Sequence, residues 1–325
     1  MTVDVILLSY GEPPSATFFQ QWAYSCRILN KLTRRAAPIP RPLIPFIGVF
    51  RACKRVMAWR RYDYGSPLDA ITEKQAQAIQ EALNRERKEI TWRVRAVFEF
   101  RQPLFVPCLR DLRASDCERL VIVPLYAAYS GFTAEISLLD YKKFQKRYGD
   151  SLPRAKYVLF RPCLRELANI MAEFILSQIK NVEWIDPQNS ALLLGAHGTV
   201  TTPIRGIKDA GYKDTFTLYK MIEEKLRPSF REIDIGWLNH RVGGEWTQPT
   251  LDVSVRRMMQ EGITRFVYFP FGFIADNAET QLEGKIVFEN LGVKDYLHLP
   301  CINTDSSFIN MLTKRIIRCA GASAA

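Results

Sequence analysis

The chain is poor in histidine, with three in 325 residues, and none of its seven cysteines stands in CxxC spacing. Cys26, Cys53, Cys108, Cys117, Cys163, Cys301 and Cys319 are scattered and odd in number. That pattern argues against a thiolate-held zinc and against a disulfide framework, and predicts reduced, mostly buried thiols. No apolar run approaches the roughly 18 residues of a membrane span. The opening MTVDVILLSYGEPP lacks a basic stretch ahead of its apolar run, and Asp4 interrupts that run. No signal peptide is expected, and the chain reads as cytoplasmic. The most informative absence is of acid: from Pro13 to Tyr62 there is no Asp or Glu.

What fills that stretch is positive charge and aromatic surface. It carries Arg27, Lys31, Arg34, Arg35, Arg41, Arg51, Lys54, Arg55, Arg60 and Arg61, among Phe18, Phe19, Trp22, Tyr24, Phe46, Phe50 and Trp59, in a chain of net charge +11. Its centre, PIPRPLIPFIGVFRACKRVMAWRRY, is broken by prolines and then turns apolar and basic. Such a segment suits a packed helix with a solvated basic face, or contact through 36–62 with an anionic membrane surface or acidic ligand. No nucleic-acid module is recognisable, and nucleic acid is not expected as a partner.

Apolar content of 47% and charged content of 24% are those of a globular protein, and the length allows two domains. Strand-like runs at 3–9, 90–98, 120–125, 156–160, 191–196, 232–238 and 265–271 alternate with segments of helical spacing such as ITEKQAQAIQEALN and LRELANIMAEFILSQI. Strand and helix in turn predict an α/β fold with parallel sheets. The stretches ERLVIVPLYAAYSGFTAEI and ITRFVYFPFGFIADNAETQL share a plan, each carrying a glutamate, Glu135 or Glu279, on the following helix. Two similar halves are expected, joined near 150–165. The ending NTDSSFINMLTKRIIRCA reads as a helix capped by Thr304 or Asp305.

Ligands of parallel sheets bind at the carboxyl ends of the strands. Four turns there carry chemistry: Tyr10-Gly11, Tyr129-Ser130, His197 at the end of ALLLGAH, and Asp276 to Glu279 after RFVYFPF. Histidine near neutrality takes a proton or holds a metal. Asp276, Glu279 and Glu283 share one face if their helix starts by 276. One imidazole facing carboxylates suits Fe²⁺, Co²⁺ or Zn²⁺ held loosely, as a metal-transfer enzyme requires. Trp237 and Trp246 flank His240, which reads as structural or supporting, and His298 reads as structural.

Six stretches in order, LLSYGEPPS, YGSPLDAITEKQAQAIQEALN, VPLYAAYSGFTAEIS, LLLGAHGTV, IGWLNHRVGGEWTQPTLD and FPFGFIADNAETQLE, together resemble the ferrochelatase family. The resemblance implies the class II chelatase fold, two Rossmann-like parallel-sheet domains around a central cleft. These are expected at 1–155, with the basic and apolar lip at 13–62, and at 156–300, with helix 301–325 packing back on the first. It implies insertion of Fe²⁺ into protoporphyrin IX, or coproporphyrin III, with release of two protons. His197 matches the active-site base and ligand, and Glu279 its acidic partner. Asp276 and Glu283 match the metal approach, and Tyr10, Tyr129, Ser130 and Trp246 the porphyrin-lining positions. Iron enters as substrate; no prosthetic group is expected, and no iron–sulfur cluster, because Cys319 stands alone. Five positions depart from the family pattern: Asn277 for histidine, Glu99 for arginine, Pro14 for tyrosine, and Leu238 and Asn239 in Trp237-Leu238-Asn239 for W-Q-S. A porphyrin or haem carrier, a chelatase for another metal and tetrapyrrole, and a membrane-surface scaffold are the alternatives.

Overall fold

The structure, a computed structural model, describes residues 1–33, 35, 39–149, 152–186, 189–204, 206–239 and 244–321. Arg34, His240 and residues 36–38 of the basic segment lie outside the described residues. The chain forms two compact units. Unit 1 comprises Met1–Tyr126, Ser130–Leu159 and Thr304–Ala325; unit 2 comprises Ala127–Tyr129 and Phe160–Asn303.

Unit 1 holds a parallel sheet of β1 (Thr2–Ser9), β2 (Thr91–Phe98), β3 (Arg119–Pro124) and β4 (Lys156–Tyr157), in the order β2-β1-β3-β4. Central β1 is buried along its whole length, because helices cover both faces. The acid that interrupts its apolar run is neutralised in place. Asp4 is fully buried, and its two oxygens accept from Arg93 and Arg95 of β2 at 2.6 and 2.8 Å. Those arginines are two residues apart and so share one sheet face. On one side of the sheet, Ile6, Leu8 and Ile122 pack with Phe105 and Leu109 of a helix at Phe105–Leu112 and with Tyr141 and Phe144 of a helix at Ala134–Tyr148.

Four further helices belong to unit 1. They are α1 (Phe18–Ile28), α2 (Ile44–Arg61), α3 (Leu68–Glu86) and the last helix of the chain, Ser306–Cys319, which packs on α3. Asp305 caps that last helix, accepting from the amides of Ser307 and Phe308 at 2.9 and 3.2 Å. With the two helices already described as α4 (Phe105–Leu112) and α5 (Ala134–Tyr148), this completes the unit's α-helices among the described residues.

Unit 2 repeats the strand order. Its sheet runs β6 (Glu232–Leu238), β5 (Ser190–His197), β7 (Arg265–Phe269) and β8 (Asp295–His298), all parallel. Around it lie α6 (Leu164–Ile179), α7 (Tyr212–Leu226), α8 (Leu251–Gln260) and α9 (Gly284–Asn290). The expected strand at 265–271 stops at Phe269, because Pro270 has no amide to continue the ladder. The expected strand at 156–160 shrinks to two residues on a sheet edge, and β8 adds an edge strand beyond the seven expected.

Candidate metal and proton site

His197 ends β5 and lies beside Glu279, its Nε2 3.8 Å from Oε1. Both belong to unit 2. The sheet explains the placement: β5 is central, and the loop after β7, its neighbour, carries the glutamate. The His197 Nδ1 contacts the Gly198 carbonyl oxygen, which can only accept, so Nδ1 carries the proton and Nε2 keeps its lone pair. Burial lowers the His197 pKa below its ordinary 6.5, outweighing the Gly198 carbonyl and the charge of Glu283, which both raise it. The ring is therefore a neutral base near pH 7. Its side chain is still 43% exposed and that of Glu279 23%.

A polar latch beneath the histidine fixes its loop. Gly198 donates to the Leu238 carbonyl at 2.8 Å, and Asn239 Nδ2 donates to the Thr247 carbonyl at 2.7 Å. Thr199 and Thr247 bond amide to hydroxyl and amide to carbonyl, at 3.1 and 3.0 Å. A Cβ at Gly198 would overlap the Asn239 side chain, so only glycine fits between β5 and the β6 loop. The latch also carries Trp246, bridged to Val200, whose ring centre lies 6.3 Å from that of His197. Trp246 thus lies beside His197. Asn239, Thr199 and Thr247 were not anticipated as site residues.

The acidic helix starts later than its spacing suggests. Asn277 is its cap: Oδ1 accepts from the amides of Glu279 and Thr280 at 2.9 and 3.3 Å, and the Asn277 amide in turn donates to the Thr280 hydroxyl at 2.9 Å. This is a capping box with threonine in the reciprocal position. A π-helical turn, Glu279–Glu283, follows and runs into α9. Such turns are rare and gather at functional sites. Glu283 lies within electrostatic reach of His197 and raises its pKa.

Asp276 does not join them. It precedes the helix, and both its oxygens are taken: Oδ1 by Gln281 Nε2 and the Cys301 amide, each at 2.8 Å, and Oδ2 by Asn303 Nδ2 at 2.7 Å. The one-face premise fails because the cap at Asn277 places Asp276 outside the helix, where it ties the loop to the segment after β8. Among the described residues, no group of three or more histidines, cysteines and carboxylates could enclose a metal. His197 and Glu279 form a pair at 3.8 Å.

The remaining expected positions divide between the units. Tyr129 belongs to unit 2; the Arg161 guanidinium lies 4.7 Å from its ring centre, and its amide donates to Asp214 at 3.3 Å. Tyr10 belongs to unit 1, half-buried against Phe100 with ring centres 4.5 Å apart. Ser130 also belongs to unit 1, but its hydroxyl pairs with Thr133 at 2.9 Å and accepts from the Phe132 amide, shaping the turn before α5 rather than facing outward. His298 ends β8 and donates from Nε2 to the Thr280 carbonyl at 2.7 Å, bracing the π-helical turn. An open concavity of about 480 Å³ at the root of α2 is lined by Cys26, Arg27, Asn30, Arg41, Ile44 and Pro45.

Comparison with known proteins identifies the family. The Ferrochelatase family profile matches residues 2–319. A chloroplastic ferrochelatase-2 of Cucumis sativus is 28% identical over 97% of this chain, which spans 62% of that protein. Ferrochelatases of Picosynechococcus and Gloeobacter violaceus are each 25% identical over 98% of the chain, covering 83% and 98% of their own lengths. The solved structure of SirB from Bacillus subtilis with Fe³⁺ shares the fold, with a TM-score of 0.54 at 12% identity, over 98% of this chain and 96% of SirB. The chain, with its α/β chelatase fold, belongs to the ferrochelatase family, the lyases that insert metal into porphyrin in haem biosynthesis.

Proposed function

We propose that the protein inserts Fe²⁺ into protoporphyrin IX, with coproporphyrin III as the alternative substrate, and that His197 and Glu279 carry the reaction. The observation that supports this most is the unprotonated Nε2 of a neutral imidazole 3.8 Å from a partly exposed carboxylate. Metallation replaces two pyrrole N–H bonds with bonds to iron and releases two protons. Nε2 accepts a proton from a pyrrole nitrogen and passes it to the Glu279 carboxylate, which reaches water. The same two groups offer one nitrogen and one oxygen to the ferrous ion before the four porphyrin nitrogens take it. Two ligands hold such an ion loosely, which transfer demands. Glu283, one turn along the π-helix, keeps negative charge on the approach. Trp246 offers a flat apolar wall beside the imidazole.

The acid-free segment then has a use in handling a sparingly soluble substrate. On α2, Ile44, Gly48, Ala52, Val56 and Trp59 are buried, while Phe46, Phe50, Cys53 and Met57 form a second stripe on the opposite face. Phe46, Phe50 and Met57 are 68%, 77% and 66% exposed, flanked by exposed Lys54, Arg60 and Arg61. Aromatic surface rimmed by cations suits the headgroup region of an anionic bilayer, so we propose peripheral membrane contact there. No helix among the described residues is long and apolar enough to cross a membrane.

The test is anaerobic mixing of protein, Fe²⁺ and protoporphyrin IX, read as loss of porphyrin fluorescence and the absorption change of metallation. Turnover that disappears in His197→Ala supports the assignment. Stoichiometric porphyrin binding without metallation by Fe²⁺, Co²⁺ or Ni²⁺ would instead identify a carrier.

A further inference from the structure

Within unit 2, one aromatic ring lies between the strand that ends in His197 and the helix that follows Glu279. Tyr268 of β7 pairs with Leu193 of β5, so its side chain shares a sheet face with Leu193, Gly195 and His197. It is fully buried, with its ring held edge-on between two glycines. A Cβ at Gly195 would fall 2.6 Å from Cε2, and one at Gly284 2.8 Å from Cε1 on the opposite edge. The ring has no room to swing, because His298 and Phe288 pack edge to face against it, with ring centres 4.9 and 5.6 Å away. Gly195 precedes His197 by two residues, and Gly284 directly follows the π-helical turn that opens with Glu279. His298 also holds that turn, through the Thr280 carbonyl at 2.7 Å.

Stability does not explain this arrangement. The phenol oxygen is buried with no hydrogen-bond partner among the described residues, which disfavours the fold. Gly195 sits inside a strand and Gly284 inside a continuous helical stretch, where glycine is a poor residue. Nor does Tyr268 exchange a proton, since burial raises its pKa and nearby Glu279 and Glu283 raise it further. We propose that Tyr268 is a positioning residue: the width of its ring fixes the gap between the backbone bearing His197 and the backbone bearing Glu279, and so sets the separation of imidazole and carboxylate. The inference rests on the proposed function and deepens it. Ligand bonds of about 2.1 Å let one divalent ion touch two atoms 3.8 Å apart. A narrower gap would let the two groups hydrogen-bond to each other at about 2.8 Å, and a wider one would leave an ion only one of them.

Three variants of the full chain test this. Gly284→Ala sets a methyl against the Cε1 edge while favouring the helix, so it widens the gap without emptying the core. It should lower kcat for Fe²⁺ insertion about 10–100-fold and leave KM for porphyrin within about threefold of native. Co²⁺ titrated without porphyrin, followed by its visible absorption, should bind it about tenfold more weakly. Adding Tyr268→Leu, a narrower side chain in the same place, should return kcat and Co²⁺ affinity to within about threefold of native. Tyr268→Phe keeps the ring and drops the hydroxyl; it should hold both values within about threefold and raise the urea midpoint, and it decides the matter should Gly284→Ala not fold. Native kcat in Gly284→Ala, a double variant no better than Gly284→Ala alone, or a more than tenfold loss of kcat in Tyr268→Phe would overturn the inference and leave the proposed function standing. A native chain that metallates no porphyrin would overturn the proposed function, and the Co²⁺ affinities of the same variants would then judge the spacing by themselves.

Discussion

A histidine whose pKa is pushed down by burial is a base at neutral pH, and a ferrous ion or a pyrrole proton then has a lone pair to meet. His197→Ala should lower kcat for metallation by about 10²–10⁴-fold with little effect on porphyrin affinity, measured by stopped-flow absorbance and by fluorescence quenching respectively. The pH profile has a defined sign. The ring is neutral above its lowered pKa and protonated below it, so kcat/KM should fall on acidification through a value below the ordinary 6.5. Because Glu283 raises that pKa, Glu283→Gln should lower it further and shift the acid limb of the profile toward lower pH. A limb that moves upward would show that the charge of Glu283 does not act on the imidazole.

Elements decide which carboxylates reach that imidazole. Asn277 and Thr280 fix where the acidic helix begins, and Glu279 is set by that start. Asn277→Ala should cost about 1 kcal/mol in urea unfolding. It should also slow metallation more than it weakens porphyrin binding. Gly195 and Gly284 leave room for the Tyr268 side chain between β5 and α9: a Cβ at Gly195 would lie 2.3 Å from its hydroxyl oxygen, and one at Gly284 2.8 Å from its ring. Gly195→Ala should therefore destabilise the unit by about 1–3 kcal/mol, read as a lower urea midpoint. The central strands β1 and β5 were legible in the sequence because burial on both faces writes an unbroken apolar run. The edge β4 was read three residues too long and the edge β8 was not read as a strand, both being short and half-wet. The Ala-His dipeptide and the acidic stretch after β7 pointed to the histidine–glutamate pair through chain order alone. Asp276 misled because spacing shows which residues a helix would align, but not where the backbone starts to coil. The latch of Asn239, Thr199 and Thr247 stayed hidden because its partners, up to 48 residues apart, meet only after folding.

At the scale of the molecule, charge and chain order carry the consequences. If the outer face of α2 meets lipid, full-length protein should co-sediment with vesicles containing phosphatidylserine and not with neutral ones. Phe46→Glu/Phe50→Glu should abolish that without changing solution metallation, since neither side chain is buried. Retained sedimentation would exclude this face. Unit 1 is built from three stretches of chain, and the last of them, α10 (Ser306–Cys319), buries Phe308, Ile309, Met311, Leu312 and Ile316. At about 1.5–3 kcal/mol for each large side chain, that closure is comparable to the whole stability of an ordinary domain. The half whose synthesis begins first is thus finished last. While a ribosome makes residues 160 to 303, the flank of α3 waits uncovered, and quality-control proteases have their clearest opportunity in that interval.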